Sequence, residues 1–473
     1  MTQDGKRDDA ETPMVAGGTL TEHQVQQTRA NTGPNLVLAL RGDAPLSGGQ
    51  SLDMAGVKTL HIGRGGALAL MPGATRGDAR LELPDPTTSG QHARLRFEDK
   101  HVWLEDLGSR NGTRHGIKRI DQPALLQPGD WFSVGRSVFV YGTGNPGGQS
   151  EPLAFGASGL LATFVAQVAE LYGATGKLAP SRVPLLLVGE TGTGKEVLAR
   201  EIHALSRPQG PFVAVNCAAL PENLVESELF GYRKGAFSEA REDRPGLVRT
   251  ANGGTLLLDE VTELPVQTQA KLLRFLQEGE VLAIGTTQPV KVDVRVIAAT
   301  QPGLHEAVRE GRFRADLLAR LAGFTLNLQP LRDRMADLGL LTEMILRRHG
   351  GEDAHRFKFS ADACNALFAR QWPLNVRELE QTLQAAVVLA RDSGQIEVAH
   401  LGQAPLLTST AGTAPPPIEL ENSELAEQVL DALRRHEGNV SAVAREMGKA
   451  RMQIHRWMER FGFDPESFRL PPR

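Results

Sequence analysis

Gly189-Glu190-Thr191-Gly192-Thr193-Gly194-Lys195-Glu196 follows the apolar run Pro184-Leu185-Leu186-Leu187-Val188 and opens onto a helical pattern. Val197, Leu198, Ile202 and Leu205 fall on one side of that helix, while Glu196, Arg200 and Glu201 fall elsewhere. The glycines therefore stand where a buried strand becomes a helix, and there they let successive backbone N–H groups converge on one point. The positive end of the helix dipole and the charge of Lys195 meet at the same place, so the octapeptide reads as a cradle for a nucleoside triphosphate. The strict phosphate-loop pattern asks for Ser or Thr after the lysine, to hold magnesium, and Glu196 stands there instead. Downstream, Gly253-Gly254-Thr255-Leu256-Leu257-Leu258-Asp259-Glu260 reads as a buried strand ending in two carboxylates. Asp259 is placed to hold Mg²⁺ and Glu260 to polarise an attacking water.

From about 155 to 345 strand and helix patterns alternate, which predicts an α/β fold with a mostly parallel sheet. Ligands of such sheets sit at the carboxyl ends of strands, where the cradle, Asp259 and Thr300 all fall. Thr300-Gln301 ends a strand beside the carboxylates and can sense a γ-phosphate. Arg314 and Arg320 are spaced to lie near one helix face and to reach across a subunit boundary. Trp372-Pro373-Leu374-Asn375-Val376-Arg377 starts a helix whose Arg377 can close a lid on the nucleotide.

These residues resemble the AAA+ ATPases of the bacterial enhancer-binding class, the sigma-54-dependent transcription activators, across 155–402, with a helical lid from about 336. The resemblance implies that Asn216 is the switch partner of Glu260, that Arg314 and Arg320 are arginine fingers and that Arg377 is a second sensor. Glu196 after the lysine is usual in that class. It also implies ATP and Mg²⁺ as cofactors, and self-association as a dimer and as an ATP-dependent hexameric ring, because a finger acting in trans needs a neighbour.

Gly231-Tyr232-Arg233-Lys234-Gly235-Ala236-Phe237-Ser238-Glu239-Ala240 interrupts the alternation and reads as an exposed insertion. In the resembled class this place carries GAFTGA, the loop pushed against sigma-54; here Gly235 to Ala240 read GAFSEA. Ser238 keeps a hydroxyl and Phe237 the aromatic tip, while Glu239 adds a charge and removes a glycine's access to positive φ.

Residues 1–33 are polar and aperiodic and read as a flexible tail. Over 34–142, short alternating runs separated by Gly, Pro and Asp turns predict a small β-sandwich. Among these runs are Asn35 to Leu40, Ala93 to Phe97 and Phe132 to Val140. Its turns carry Ile62-Gly63-Arg64, Thr88-Ser89-Gly90-Gln91-His92 and Ser109-Arg110-Asn111-Gly112. With the closing Leu126-Gln127-Pro128-Gly129-Asp130 this stretch resembles a forkhead-associated (FHA) domain. The resemblance implies a phosphothreonine-containing protein as partner, with Arg64 and Ser89 on the phosphate, Asn111 on the peptide backbone and His92 bracing the loop. A dianionic phosphate suits a guanidinium fork with hydroxyl and amide donors.

Residues 143–154 and 403–422 read as linkers. The segment 423–466 reads as an all-α module, with Leu425, Val429 and Leu433 striping one helix, Val440 to Met447 a second, and Ala450 to Arg460 a third. Residues 431–460 hold seven Lys/Arg against four Asp/Glu, whereas the whole chain has a formal net charge of -4. The module resembles a Fis-type helix-turn-helix, which implies DNA as partner and Arg451, Met452, Gln453, His455 and Arg456 as its contacts.

The 473 residues, with 41% hydrophobic and 23% charged, leave length for several real cores. No stretch approaches roughly 20 consecutive apolar residues and the polar start is no signal peptide, so the expectation is a cytoplasmic protein without a membrane partner. Cys217 and Cys364 are expected as buried thiols. The whole predicts an ATP-driven, DNA-binding regulator of sigma-54 RNA polymerase, gated by a phosphothreonine peptide. Two other readings keep most of these motifs: a regulator uncoupled from sigma-54 because of GAFSEA, and a non-hydrolysing scaffold that uses ATP only to assemble.

Overall fold

The computed structural model describes residues 34–98, 101–143, 151–156, 161–207, 209–237, 240–402, 432–433, 435–436 and 439–447. The chain divides into two units, Met1–Gln403 and Ala404–Arg473.

The first unit opens with a sandwich of two six-stranded sheets. Its pairings are antiparallel except that Thr59–Arg64 runs parallel to Asp78–Leu83. Alternate side chains fill the space between the sheets: Leu36 and Leu38 from one strand, Leu60 and Ile62 from another, Phe139 and Tyr141 from a third. Two sequence expectations change here. The run from Phe132 to Val140 is a hairpin, Trp131–Val134 pairing with Ser137–Thr143, and Gly135 turns it at φ 61°. Pro34–Arg41 does not alternate between core and solvent. Leu36 to Leu40 are buried throughout, because the outer face is covered as well.

A short hairpin of Leu153–Phe155 and Leu161–Thr163 leads into the nucleotide-binding fold, so strand structure begins just inside the segment read as linker. Five parallel strands follow: β1 Leu185–Val188, β2 Phe212–Asn216, β3 Thr255–Asp259, β4 Arg295–Thr300 and β5 Phe324–Asn327, in the order β2-β3-β4-β1-β5. Their central residues, such as Leu187, Leu257 and Ile297, are almost wholly buried. Continuous apolar runs are what a parallel sheet covered on both faces requires. The helices used below are α1 Ala166–Leu178, α2 Lys195–Ser206, α3 Glu222–Phe230, α4 Val266–Glu278 and α5 Ala315–Leu321. The lid adds α6 Leu338–Gly350, α7 Ala361–Ala369 and α8 Asn375–Leu389. Asp337 precedes α6 and accepts bonds from the Phe164 N–H and the Thr163 hydroxyl, each 2.8 Å, which pins the base of the lid to the start of the ATPase fold. Cys217 and Cys364 are both free and buried, and burial pushes the Cys217 thiol up to about 12.

In the second unit the helix Val440–Glu446 is described, capped by the Asn439 side chain, which accepts the Ala442 N–H at 3.3 Å. Val443 and Ala444 bury its inner face. Arg451, Met452, Gln453, His455 and Arg456 lie outside the described residues, as do the tail 1–33 and the linker 403–422. No helix among the described residues is long and apolar enough to cross a membrane.

Trp372 is wholly buried in the lid, its indole N–H donating 3.0 Å to the Leu367 carbonyl. Trp372→Ala is expected to cost about 3–5 kcal/mol in denaturant unfolding of the lid, because it leaves both a cavity and an unpaired carbonyl.

Candidate functional site

The glycine-rich turn leaves β1 and enters α2 with Gly192 at φ 78° and Gly194 at φ 101°, a conformation that costs a side-chain-bearing residue strain. A Cβ at Gly194 would meet nothing within 4 Å, so the space before the loop is open. Lys195 is buried at the first position of α2, its Nζ donating to the carbonyls of Gly189 at 2.7 Å and Glu190 at 3.4 Å. The same Nζ lies 3.8 Å from Oε1 of Glu260. Because β1 pairs with β4, Val188 is opposite Thr300, and the Gly189 N–H donates 3.1 Å to the Thr300 carbonyl. Because β2 pairs with β3, Asn216 is opposite Asp259. The sheet thus carries Lys195, Asn216, Asp259, Glu260 and Thr300 to one edge, as the strand-end argument expects.

Glu260 takes the left-handed conformation, φ 52°, and accepts a 3.3 Å bond from the Gln301 amide. Such backbone persists in a non-glycine residue only where its surroundings enforce it. Asn216 accepts the Ala218 N–H at 3.0 Å, so here it caps a turn, and among the described contacts it makes no bond to Glu260.

The lid closes directly on the loop. The Val376 N–H, in the first turn of α8, donates 3.0 Å to the Gly192 carbonyl, and a Cβ at Gly192 would overlap the Leu374 carbonyl oxygen. Asn375 is wholly buried at φ 55°. Its amide nitrogen donates to the Thr191 carbonyl at 3.0 Å and to Glu190 at 3.2 Å, while its oxygen accepts the Leu331 N–H at 2.7 Å. Arg332 forks onto Glu190 at 2.8 and 2.6 Å, and this bond, with that of Asn375, holds the Glu190 carboxyl below its ordinary range. Arg377 follows, exposed, its Cβ 3.0 Å from where a Cβ of Gly192 would stand. Asn375 and Arg332 were not singled out from sequence, although Asn375 lies within the Trp372–Arg377 motif. Beside the loop a cavity is walled by Leu161, Tyr172, Val197, Leu328 and Met344. Arg334 reaches it, one nitrogen 3.1 Å from the Thr193 carbonyl and its Nε buried without a partner. An apolar slot with a spare donor next to an open phosphate loop fits a nucleotide.

Arg314 and Arg320 do not share a helix face. Arg314 is the residue before α5, exposed and forked onto Asp316 at 3.0 and 2.7 Å, while Arg320 lies in the last turn and donates to the Leu276 carbonyl at 3.2 and 3.0 Å. Neither is bonded to its own phosphate loop among the described contacts.

The insertion after α3 is anchored by its flanks. Tyr232 bridges Arg244, and its ring meets Phe237 edge-on at 4.8 Å. The Gly235 N–H donates to the Ala240 carbonyl at 2.8 Å and the Lys234 N–H to Asp243 at 2.7 Å. Gly235, Ala236, Phe237 and Ala240 are thus in a closed turn, while Ser238 and Glu239 lie outside the described residues. A second segment, overlooked in the sequence, supports it: the Arg233 N–H donates to the Ile284 carbonyl at 3.0 Å, and the Ile284 N–H to the Gly231 carbonyl at 2.9 Å.

On the sandwich, Arg64 and Asn111 are exposed around the half-buried Ser89. The Arg64 N–H donates to the Ser89 carbonyl at 2.9 Å, the Ser89 hydroxyl accepts the Arg110 N–H at 3.1 Å, and the Asn111 amide donates to the Thr87 carbonyl at 2.6 Å. His92 is wholly buried beneath them. Its Nδ1 accepts the Ser89 N–H at 3.0 Å, so the proton sits on Nε2, which donates 3.3 Å to the Gly112 carbonyl.

Family models match the chain in three places: an FHA domain at 60–135, a sigma-54 interaction domain at 162–327 and an AAA+ ATPase lid domain at 332–415. The chain belongs to the sigma-54 activator family of AAA+ ATPases. The transcriptional regulatory protein XylR of Pseudomonas putida is 50% identical over 238 residues, 50% of this chain and 42% of that one. The regulatory protein AtoC of Escherichia coli is 42% identical over 305 residues, covering 62% and 65%. This family member therefore spans less than two thirds of either relative. Among solved structures, NtrX from Brucella abortus in complex with ATP is similar at 32% identity and a TM-score of 0.47, covering 64% of this chain and 69% of that one.

Burial holds the His92 ring below its ordinary value of 6.5. As pH falls below about 6.5 the unfolded chain takes up a proton that the folded sandwich refuses, so stability present at higher pH is progressively lost. Thermal unfolding followed from pH 7.5 to 5.5 should show the sandwich transition falling, and His92→Asn should flatten that trend.

Proposed function

We propose that the chain hydrolyses ATP with Mg²⁺ in a ring of its own copies and uses the work to remodel sigma-54 RNA polymerase at promoters. It holds DNA through the C-terminal module, and a phosphothreonine peptide on the sandwich gates it. The observation that carries the reading is the meeting of Lys195, Asp259, Glu260 and Thr300 at one sheet edge under a lid whose first turn rests on the phosphate loop.

Mg²⁺, when bound, would neutralise phosphate charge. Asp259 would hold it through its carboxylate. Lys195 turns from the Gly189 carbonyl toward the phosphates, Glu260 orients and polarises the attacking water, and Thr300 reads the far phosphate. Arg377 approaches from the lid, and Arg314 and Arg320 serve a neighbouring copy. The turn from Gly235 to Ala240, braced by Tyr232 and Ile284, is the output surface for sigma-54. Arg64, Ser89 and Asn111 grip the phosphothreonine peptide, while His92 holds the Ser89 turn. Arg451, Met452, Gln453, His455 and Arg456 are the proposed DNA contacts.

Glu260→Gln should lower steady-state phosphate release by about 10² or more, the scale of losing a positioned general base, while leaving ATP binding intact. Equal release by variant and wild type would contradict the hydrolytic reading. Open-complex formation on a sigma-54 promoter then tests output: ATP-dependent opening supports the proposal, and hydrolysis without opening refutes the sigma-54 role. Asn375→Ala strips bonds from the Thr191 carbonyl, Glu190 and the Leu331 N–H at once. It should weaken nucleotide binding about tenfold, read by titration, corresponding to roughly 1–2 kcal/mol for buried groups left unpaired.

A further inference from the structure

The outer face of the sandwich is covered by the ATPase lid. Along Pro34–Arg41, Leu36 and Leu38 face the sandwich interior while Val37 and Ala39 face out, and an irregularity in pairing between Leu38 and Leu40 brings Leu40 to the outer side too. Val138 and Val140 extend this patch from the neighbouring strand. All five belong to one continuous apolar core with lid residues such as Leu338, Ile345, Phe359 and Leu367. Trp131 of the sandwich meets Phe368 of α7 with ring centroids 5.7 Å apart.

Backbones also touch across this seam. A Cβ on Gly339, in the first turn of α6, would overlap the Ala39 carbonyl oxygen, so glycine is what allows the helix to lie on the strand. The Phe359 N–H donates 2.8 Å to the Gly42 carbonyl. The Cys364 thiol, fully buried, donates 3.5 Å to the Arg136 carbonyl, which also accepts the Gly42 N–H at 2.9 Å. Domains joined only by polar patches move freely by default; an apolar core sealed by main-chain bonds removes that freedom.

The same lid carries, at the start of α8, the Val376 bond to Gly192 and the Asn375 bonds to Thr191 and Glu190. We propose that the sandwich is a fixed part of the ATPase lid, and that its docking sets how the lid closes on the phosphate loop. The sandwich is then a positioning element for the nucleotide site. A route from the peptide face follows if that face is read as above. Asn111 holds the Thr87 carbonyl at 2.6 Å, and the Thr87 hydroxyl donates 2.6 Å to the buried Asp85. Asp85 in turn accepts the Arg136 N–H at 2.8 Å and its Nε at 3.2 Å, and Arg136 sits at the seam with Cys364.

Gly339→Ala in the full chain tests the docking. Alanine is the better helix former by about 1 kcal/mol, so a loss of function traces to the clash with Ala39 and not to the helix itself. Two readings are taken: the rate at which N-ethylmaleimide alkylates Cys364, located by mass spectrometry, and the affinity for a fluorescent ADP. The expected result is labelling at least tenfold faster together with ADP affinity at least fivefold weaker. Faster labelling with unchanged affinity overturns the proposal, and so does unchanged labelling. Should the variant not fold, the wild-type chain supplies the test by linkage, because nucleotide that favours the docked lid must slow exposure of Cys364. Saturating ADP should slow Cys364 labelling at least threefold, and an unchanged rate overturns the proposal. Neither measurement uses a phosphopeptide. Failure of such a peptide to bind would sink the reading of Arg64, Ser89 and Asn111 while leaving this docking standing.

Discussion

The site depends on one contact: the first turn of α8 lying on the phosphate loop. The Val376 N–H reaches the Gly192 carbonyl, and the close pass of the Leu374 carbonyl admits no side chain at Gly192. Glycine at that position thus serves two needs, the positive φ of the turn and the approach of the lid. Around it, the buried Asn375 pairs the Leu331 N–H and the Thr191 carbonyl, which closure would otherwise leave unpaired, while the solvent-facing Arg332–Glu190 fork lies at the rim. These contacts join the lid directly to the loop.

Positive-φ backbone clusters around this contact and the carboxylate pair. Glu260, Trp372 and Asn375 are the described non-glycine residues with positive φ. Glu260 is the residue proposed to polarise the attacking water, and the other two flank the turn by which the lid meets the loop. Strain of this kind is held by surrounding packing, here the buried Trp372 ring and the several bonds of Asn375. The insertion from Gly231 to Arg244 draws support from the ATPase body in turn, through Tyr232 and the main-chain bonds of the Ile284 segment.

Much of this was legible in the sequence because local chemistry specified it. The cradle, the Asp259–Glu260 pair and the strand ending at Thr300 each carry a short pattern whose meaning depends on the next few residues, and the parallel sheet gathers them at one edge. What was not legible depends on partners distant in the chain. The run Asn35 to Leu40 reads as a short alternating strand of a sandwich, yet its unbroken apolar character is the mark of a strand covered twice, and the second cover comes from residues some 300 positions later. Arg314 was placed on a helix face by spacing alone, whereas the chain enters α5 one residue after it. The Arg332–Glu190 fork has no local signature, because either residue by itself is an ordinary surface charge.

The central claim is that sandwich, lid and phosphate loop respond to nucleotide together. Hydrogen exchange read by mass spectrometry, with and without saturating ATP and Mg²⁺, tests it most directly across 34–41, 338–350 and 189–196. The account predicts that nucleotide slows exchange in all three segments. Protection confined to 189–196, with the sandwich strand and α6 unchanged, would contradict it.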